Sequence, residues 1–134
     1  MSQASNQIVK SLLAGASFAS KMYYAVMMHS VNNTVVVAGA PAAEGTHVVG
    51  VIQNEPASGE AASVAIGGTS KLVMAANCDV GEKIMSNNAG KGTPADADQK
   101  SVIGIALESN TGGDGGIIEV LLTPGGVAQA NESN

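Results

Sequence analysis

GVIQNEPASGEAASVAIGGTSKLVMA, residues 50–75, alternates short apolar runs with turn-forming breaks. Gly50 to Gln53 ends one β-rich run. Pro56 then fixes φ and removes a backbone donor, and Gly59 can adopt positive φ, so residues 54–61 read as a turn. In ASVAI the period of two places Val64 and Ile66 on one strand face and Ser63 and Ala65 on the other. Gly67-Gly68 reads as a tight hairpin turn, and TSKLVMA as the strand that follows it. Residues 50–68 contain no His, Cys, aromatic or basic side chain.

The same rhythm extends in both directions. KMYYAVMMHSV (residues 21–31) is β-rich and ends at Asn32-Asn33, a pair suited to a two-residue hairpin turn into TVVVAGA. Pro41 and Gly45 mark a loop before the strand THVVGVIQ, where Gly50 lets a neighbouring backbone approach. VGEKIMS is a short strand, NNAGKG a turn and TPADADQK a polar loop. SVIGIALE is a strand expected to carry Ile103, Ile105 and Leu107 on one face. NTGGDGG is a turn, and IIEVLLT is the last strand, stopped by Pro124. Strands recurring about every eight to twelve residues between Gly, Pro and Asn predict a small all-β antiparallel barrel or sandwich. No internal repeat is convincing in the sequence.

Upstream the pattern differs. QIVKSLLAG separates Ile8 from Leu12 and Val9 from Leu13 by four residues, a helical spacing with Asn6 as cap and Gly15 as terminator. So short a helix needs a surface to dock on, which is either its own domain or a partner. The expected organisation is an extended or short-helical arm over residues 1–20, a β domain over 21–124 and a flexible tail over 125–134. The arm, residues 2–18, is expected to be mobile in the free protein.

The totals exclude several classes. The chain has 134 residues, enough for one domain. Hydrophobic residues make up 45% and charged ones 13%, so most of it folds. With one Phe, two Tyr and no Trp, the core is built from Val, Ile, Leu, Met and Ala. Six Lys+Arg against eleven Asp+Glu leave a net charge of −5, the opposite of a phosphate-binding surface. Single-strand and sugar binding would also need aromatic platforms. No stretch is long enough to span a bilayer, and KSLLAGASFAS is a poor secretory signal.

Reactive chemistry is sparse. Cys78 is the single cysteine and reads as a small buried thiol. His29 and His47 lack metal-ligand spacing and read as ordinary strand residues. The ADAD run at residues 95–98 lacks the ligand count of a calcium loop. GGTSK and GGDGG have neither phosphate-loop spacing nor a following helix. No catalytic, metal or cofactor site is expected. Two other readings exist: NCDVGEKI resembles the turn of biotinyl and lipoyl carrier domains, with Lys71 as the modified lysine, and the Gly-rich turns allow an adhesin-like module.

Several motifs carry a resemblance through their order. They are GVIQ (50–53), ASGE (57–60), VGEKI (80–84), Gly90-Lys91 and GIALE (104–108). Together, over residues 35–122, the chain resembles the head decoration, or capsid cement, proteins of tailed bacteriophages. The resemblance implies a small tulip-like β fold and a homotrimer on the exterior of the virion head. It implies the major capsid protein as partner, with neither nucleic acid nor membrane contacted, and a clamp against packaged DNA. Residues 1–20 depart most from the pattern. For the partner surface the candidates are Ile8, Leu12 and Leu13 in the arm and Met22, Tyr23, Tyr24, Met27 and Met28 in the first β-rich run, since Met and Tyr suit adaptable interfaces. The alternative role of that run is plain core.

Overall fold

The computed structural model describes residues 7–28, 34–37, 48–87, 89–95 and 101–127. His29, His47, the Asn32-Asn33 turn and Asp96 to Asp98 lie outside them. The described residues form nine strands and no helix. These are β1 (Gln7–Leu13), β2 (Ala25–Met28), β3 (Val35–Val37), β4 (Val48–Ile52), β5 (Ala61–Val73), β6 (Lys83–Ser86), β7 (Gly92–Pro94), β8 (Ser101–Ala106) and β9 (Ile117–Val127). The sheet order is β3-β2-β4-β5-β9-β8-β6-β7, with β1 paired to β5, and the antiparallel sheet curls into a half-barrel.

The helical reading of QIVKSLLAG is overturned. β1 is extended and runs antiparallel along β5, from Gln7 opposite Gly68 to Leu13 opposite Ala61. A spacing of four is also an even number, so Leu12 keeps its orientation on a strand as it would on a helix. Backbone bonding to β5 decides the matter, because a seven-residue helix has little stability of its own.

The Gly67-Gly68 hairpin is also absent. β5 runs straight through both glycines, with Gly68 at φ 80°. Residues 61–68 pair with β1, and residues 69–73 pair with β9. The glycines serve a change of partner along one strand, which a flat, side-chain-bearing strand would resist.

Bulges break the expected alternation. A register shift leaves Ile66 between Ala65 and Gly67, so Val64 and Ala65 are both buried while Ile66 is exposed. Another at Ile103 turns that side chain into the core, whereas Leu107 faces out. Pro124 does not stop β9, whose backbone pairs with β8 up to Val127. β7 takes the last residue of the expected NNAGKG turn and the first two of the expected polar loop.

The two halves of the chain repeat one another. β2 pairs with β3 and β4, and β4 with β5. In the same way β6 pairs with β7 and β8, and β8 with β9. Ala25, Val26 and Met27 oppose Val51, Gly50 and Val48; Lys83, Ile84 and Met85 oppose Ile105, Gly104 and Val102, with the same register shift. Ala14 forms a parallel bridge to Val35, as Met74 does to Gly92. The Phe18 N–H donates to the Pro56 carbonyl at 2.9 Å, and the Cys78 N–H to the Asn110 carbonyl at 3.0 Å. Tyr23 and Gly81 share positive φ, 71° and 90°, and donate to the Ile52 and Ala106 carbonyls at 2.8 and 2.7 Å. The first repeat is therefore β1 to β4 with residues 61–67 of β5; the second is residues 69–73 of β5 with β6 to β9.

Two cores follow. Ala14, Phe18, Val26, Val35, Ile52, Ala62 and Val64 fill the first repeat. The second core joins the interior of the second repeat, such as Leu72, Met74, Ile84, Ile103 and Val120, to residues from the opposite face of the first: Ala25, Val51 and Ala65. β4 lies against β8 and β9 at this junction. The outer face of the first repeat thus roofs the second. Each large aliphatic side chain fully removed from water there contributes roughly 1.5–3 kcal/mol.

Candidate interaction surface

The eight candidate residues divide into two groups. Ile8 and Leu13 lie on β1, 63% and 50% exposed, while Leu12 is half-buried and packs against the first core. Among the described residues β1 pairs with β5 alone, so it is an edge strand carrying apolar side chains into solvent. Such edges are natural docking templates.

The second group joins the two repeats. Met22 to Tyr24 is a turn, because Ser20 and Tyr23 take left-handed φ values of 63° and 71°. Tyr23 and Met27 pack against the second core. The Tyr23 carbonyl accepts a bond from the Val73 N–H at 3.0 Å, and the Ala25 N–H donates to the Gly90 carbonyl at 2.8 Å. Lys91 sits 6.0 Å from the centre of the Tyr24 ring and bonds Asp114 at 2.9 Å, which holds its ammonium above the usual lysine range. Met28 is exposed at the end of β2. Tyr23, Tyr24, Ala25 and Met27 therefore form the seam inside the chain, and Ile8, Leu13 and Met28 face outward.

Sequence reasoning missed a further apolar set on the second repeat: Val80, Leu107, Ile117 and Leu121 are all exposed. Its signal is IIEVLLT, which is apolar on both strand faces although only Ile118, Val120 and Leu122 are buried.

The remaining features are structural. Lys71 lies mid-strand on β5 opposite Glu119, and not at the hairpin tip a carrier domain requires. Cys78 is buried, its thiol pushed up by that burial. A shallow depression beside it is lined by Asn77, Asp79, Glu82, Pro94, Asn110 and Thr111. The Asn110 side chain is fully engaged there: its amide donates to the carbonyls of Ala76 at 2.8 Å and Gly113 at 3.0 Å. Among the described residues no group of His, Cys, Asp or Glu is placed to hold a metal.

The fold is an all-β half-barrel whose two halves repeat one pairing scheme. The chain belongs to the phage cement protein family, whose model matches residues 24–122. That family is structural, made of phage head components, and is not a class of enzyme. Among solved structures, the N base of head fiber gp8.5 of bacteriophage phi29 has the same fold at a TM-score of 0.63 and 16% identity. The match covers 87% of this chain and 94% of that one. No curated protein matches the sequence.

Proposed function

We propose that the protein binds the outer surface of the mature phage head as a homotrimer, contacts the major capsid protein and stabilises the shell against internal DNA pressure. The family match over residues 24–122 carries this reading, since it makes capsid decoration the general role. Three copies held together turn weak footholds into tight binding, because the second and third contacts are intramolecular. The exposed Ile8 on β1 and the exposed Met28 supply apolar footholds. The acidic balance of the chain keeps the solvent-facing side soluble.

The test is co-sedimentation of purified protein with DNA-filled heads that lack it, followed by heating. Saturable binding and a higher temperature of DNA release support the proposal. Binding that leaves head stability unchanged removes the clamping role, and absence of binding removes the proposal altogether.

A further inference from the structure

The repeats are equivalent in fold but not in cover. In the second repeat, Leu72 of β5 and Ile103 of β8 are completely buried, because the outer face of the first repeat lies over them. Their equivalents in the first repeat, Leu12 and Val49, are only half-buried. The roof is equally lopsided. Ala65 and Val51 of the first repeat are fully covered, whereas their equivalents Leu121 and Ile105 are 41% exposed and half-exposed. Met22 is half-buried, but its equivalent Val80 is 62% exposed. At two of these pairs the covered face carries the smaller residue, Ala65 against Leu121 and Val51 against Ile105, while the covered Ala25 corresponds to the exposed Lys83. Among the described residues one repeat lacks a roof, and the other presents one with nothing beneath it.

From this continuity we infer that a second copy of the chain docks head to tail, its second repeat roofing the first repeat of its neighbour. The contact extends the interface the chain already makes between its own repeats. Val80 and Leu121 of one copy meet β1 and the half-buried Leu12 and Val49 of the next. Within one chain the Val73 N–H reaches the Tyr23 carbonyl at 3.0 Å. Val73 is equivalent to Leu13, and Tyr23 to Gly81, so the outer edge of β1 at Leu13 receives the Gly81 turn of the neighbour. Such a contact is heterologous, and it closes into a ring when the rotation between copies permits. The inference deepens the proposed trimer by naming its faces.

The test uses cysteine pairs in the full-length protein, with buried Cys78 left in place. Leu13→Cys and Val80→Cys are made singly and together, then treated with a short bismaleimide. The double variant is expected to yield covalent multimers on a denaturing gel, while each single variant stays monomeric, because like positions never meet in a head-to-tail contact. Cross-linking of either single variant, or none in the double, overturns the inference. Leu121→Asp provides a second arm: light scattering over a dilution series should show dissociation with the melting curve of the fold retained. A wild-type protein that stays monomeric across the series also overturns it. Head binding by such a monomer would spare the decoration role and sink only the head-to-tail contact; self-assembly without head binding would do the reverse.

Discussion

Gly50 and Gly104 hold the same place in the two repeats, each beside the extra residue of a bulge, Val49 and Ile103, and opposite Val26 and Ile84 respectively. A Cβ on Gly50 would run into the Ala65 carbonyl, and one on Gly104 into the Leu121 carbonyl. Those carbonyls are equivalent too, and both belong to the backbone and cannot swing aside. Gly50→Ala and Gly104→Ala should each destabilise the fold by about 1–3 kcal/mol, the usual cost of overpacking. Urea denaturation monitored by circular dichroism measures both, and the two losses should be of similar size. A near-neutral result at either position would contradict the close approach.

Leu12 and Leu72 allow the asymmetry of the repeats to be weighed. Leu72→Ala empties a fully buried site and should cost about 2–5 kcal/mol. Leu12→Ala should cost clearly less in dilute protein, since its side chain is already half in water. Its cost should grow as concentration drives self-association. Thermal melts at low and high protein concentration separate these cases.

Cys78 should behave as an inert thiol. Burial raises its pKa above the ordinary 9.0, outweighing the opposing backbone bond from Asn110, while Glu82 and Asp79 push the same way. The folded protein therefore holds the thiol proton more tightly than the unfolded chain does. The stabilisation from that proton is complete below the ordinary thiol pKa and is lost as pH climbs through the raised folded value. Wild-type stability should fall between neutral and strongly alkaline pH by more than that of Cys78→Ala, which has no thiol to ionise. Native protein at neutral pH should react with a thiol reagent only on unfolding.

Ile8 separates interface from core. Its side chain is exposed on β1, so Ile8→Asp should shift stability by no more than about 0.5 kcal/mol. Occupancy on phage heads should nevertheless drop, read as bound protein after sedimentation. Unchanged occupancy would move the foothold away from β1.

The strand-and-turn rhythm was legible because Gly, Pro and Asn punctuate it at turn spacing, and because β-branched runs mark β4, β8 and β9. The duplication was not legible. VVGVI at residues 48–52 and VIGIA at 102–106 share a valine, a glycine and β-branched neighbours, a match too short and too ordinary for a strand to stand out. The pairing scheme repeats through backbone bonds, which leave weak traces in side chains. Phe18 and Cys78, equivalent in position, differ in volume and chemistry, so the side chains at matching places hide the repeat. Bulges at Ile66 and Ile103 defeated the period-of-two reading, since one extra residue reverses every later side chain. Exposure of the residues chosen for a partner surface was only partly legible. Ile8 and Leu13 do face solvent, yet Tyr23 and Met27, chosen for the same adaptability, are used within the chain, and nothing in their residue types distinguishes the two fates.

The unbroken course of β5 through Gly67 and Gly68 has a mechanical consequence. Any tension that pulls the two repeats apart runs along a covalent backbone before it reaches a hydrogen bond or an apolar contact. Where two modules share only a packed junction, stretching peels that junction first. Here a tether of peptide bonds limits how far the junction can open, so the pair recoils as a unit when the strain is released.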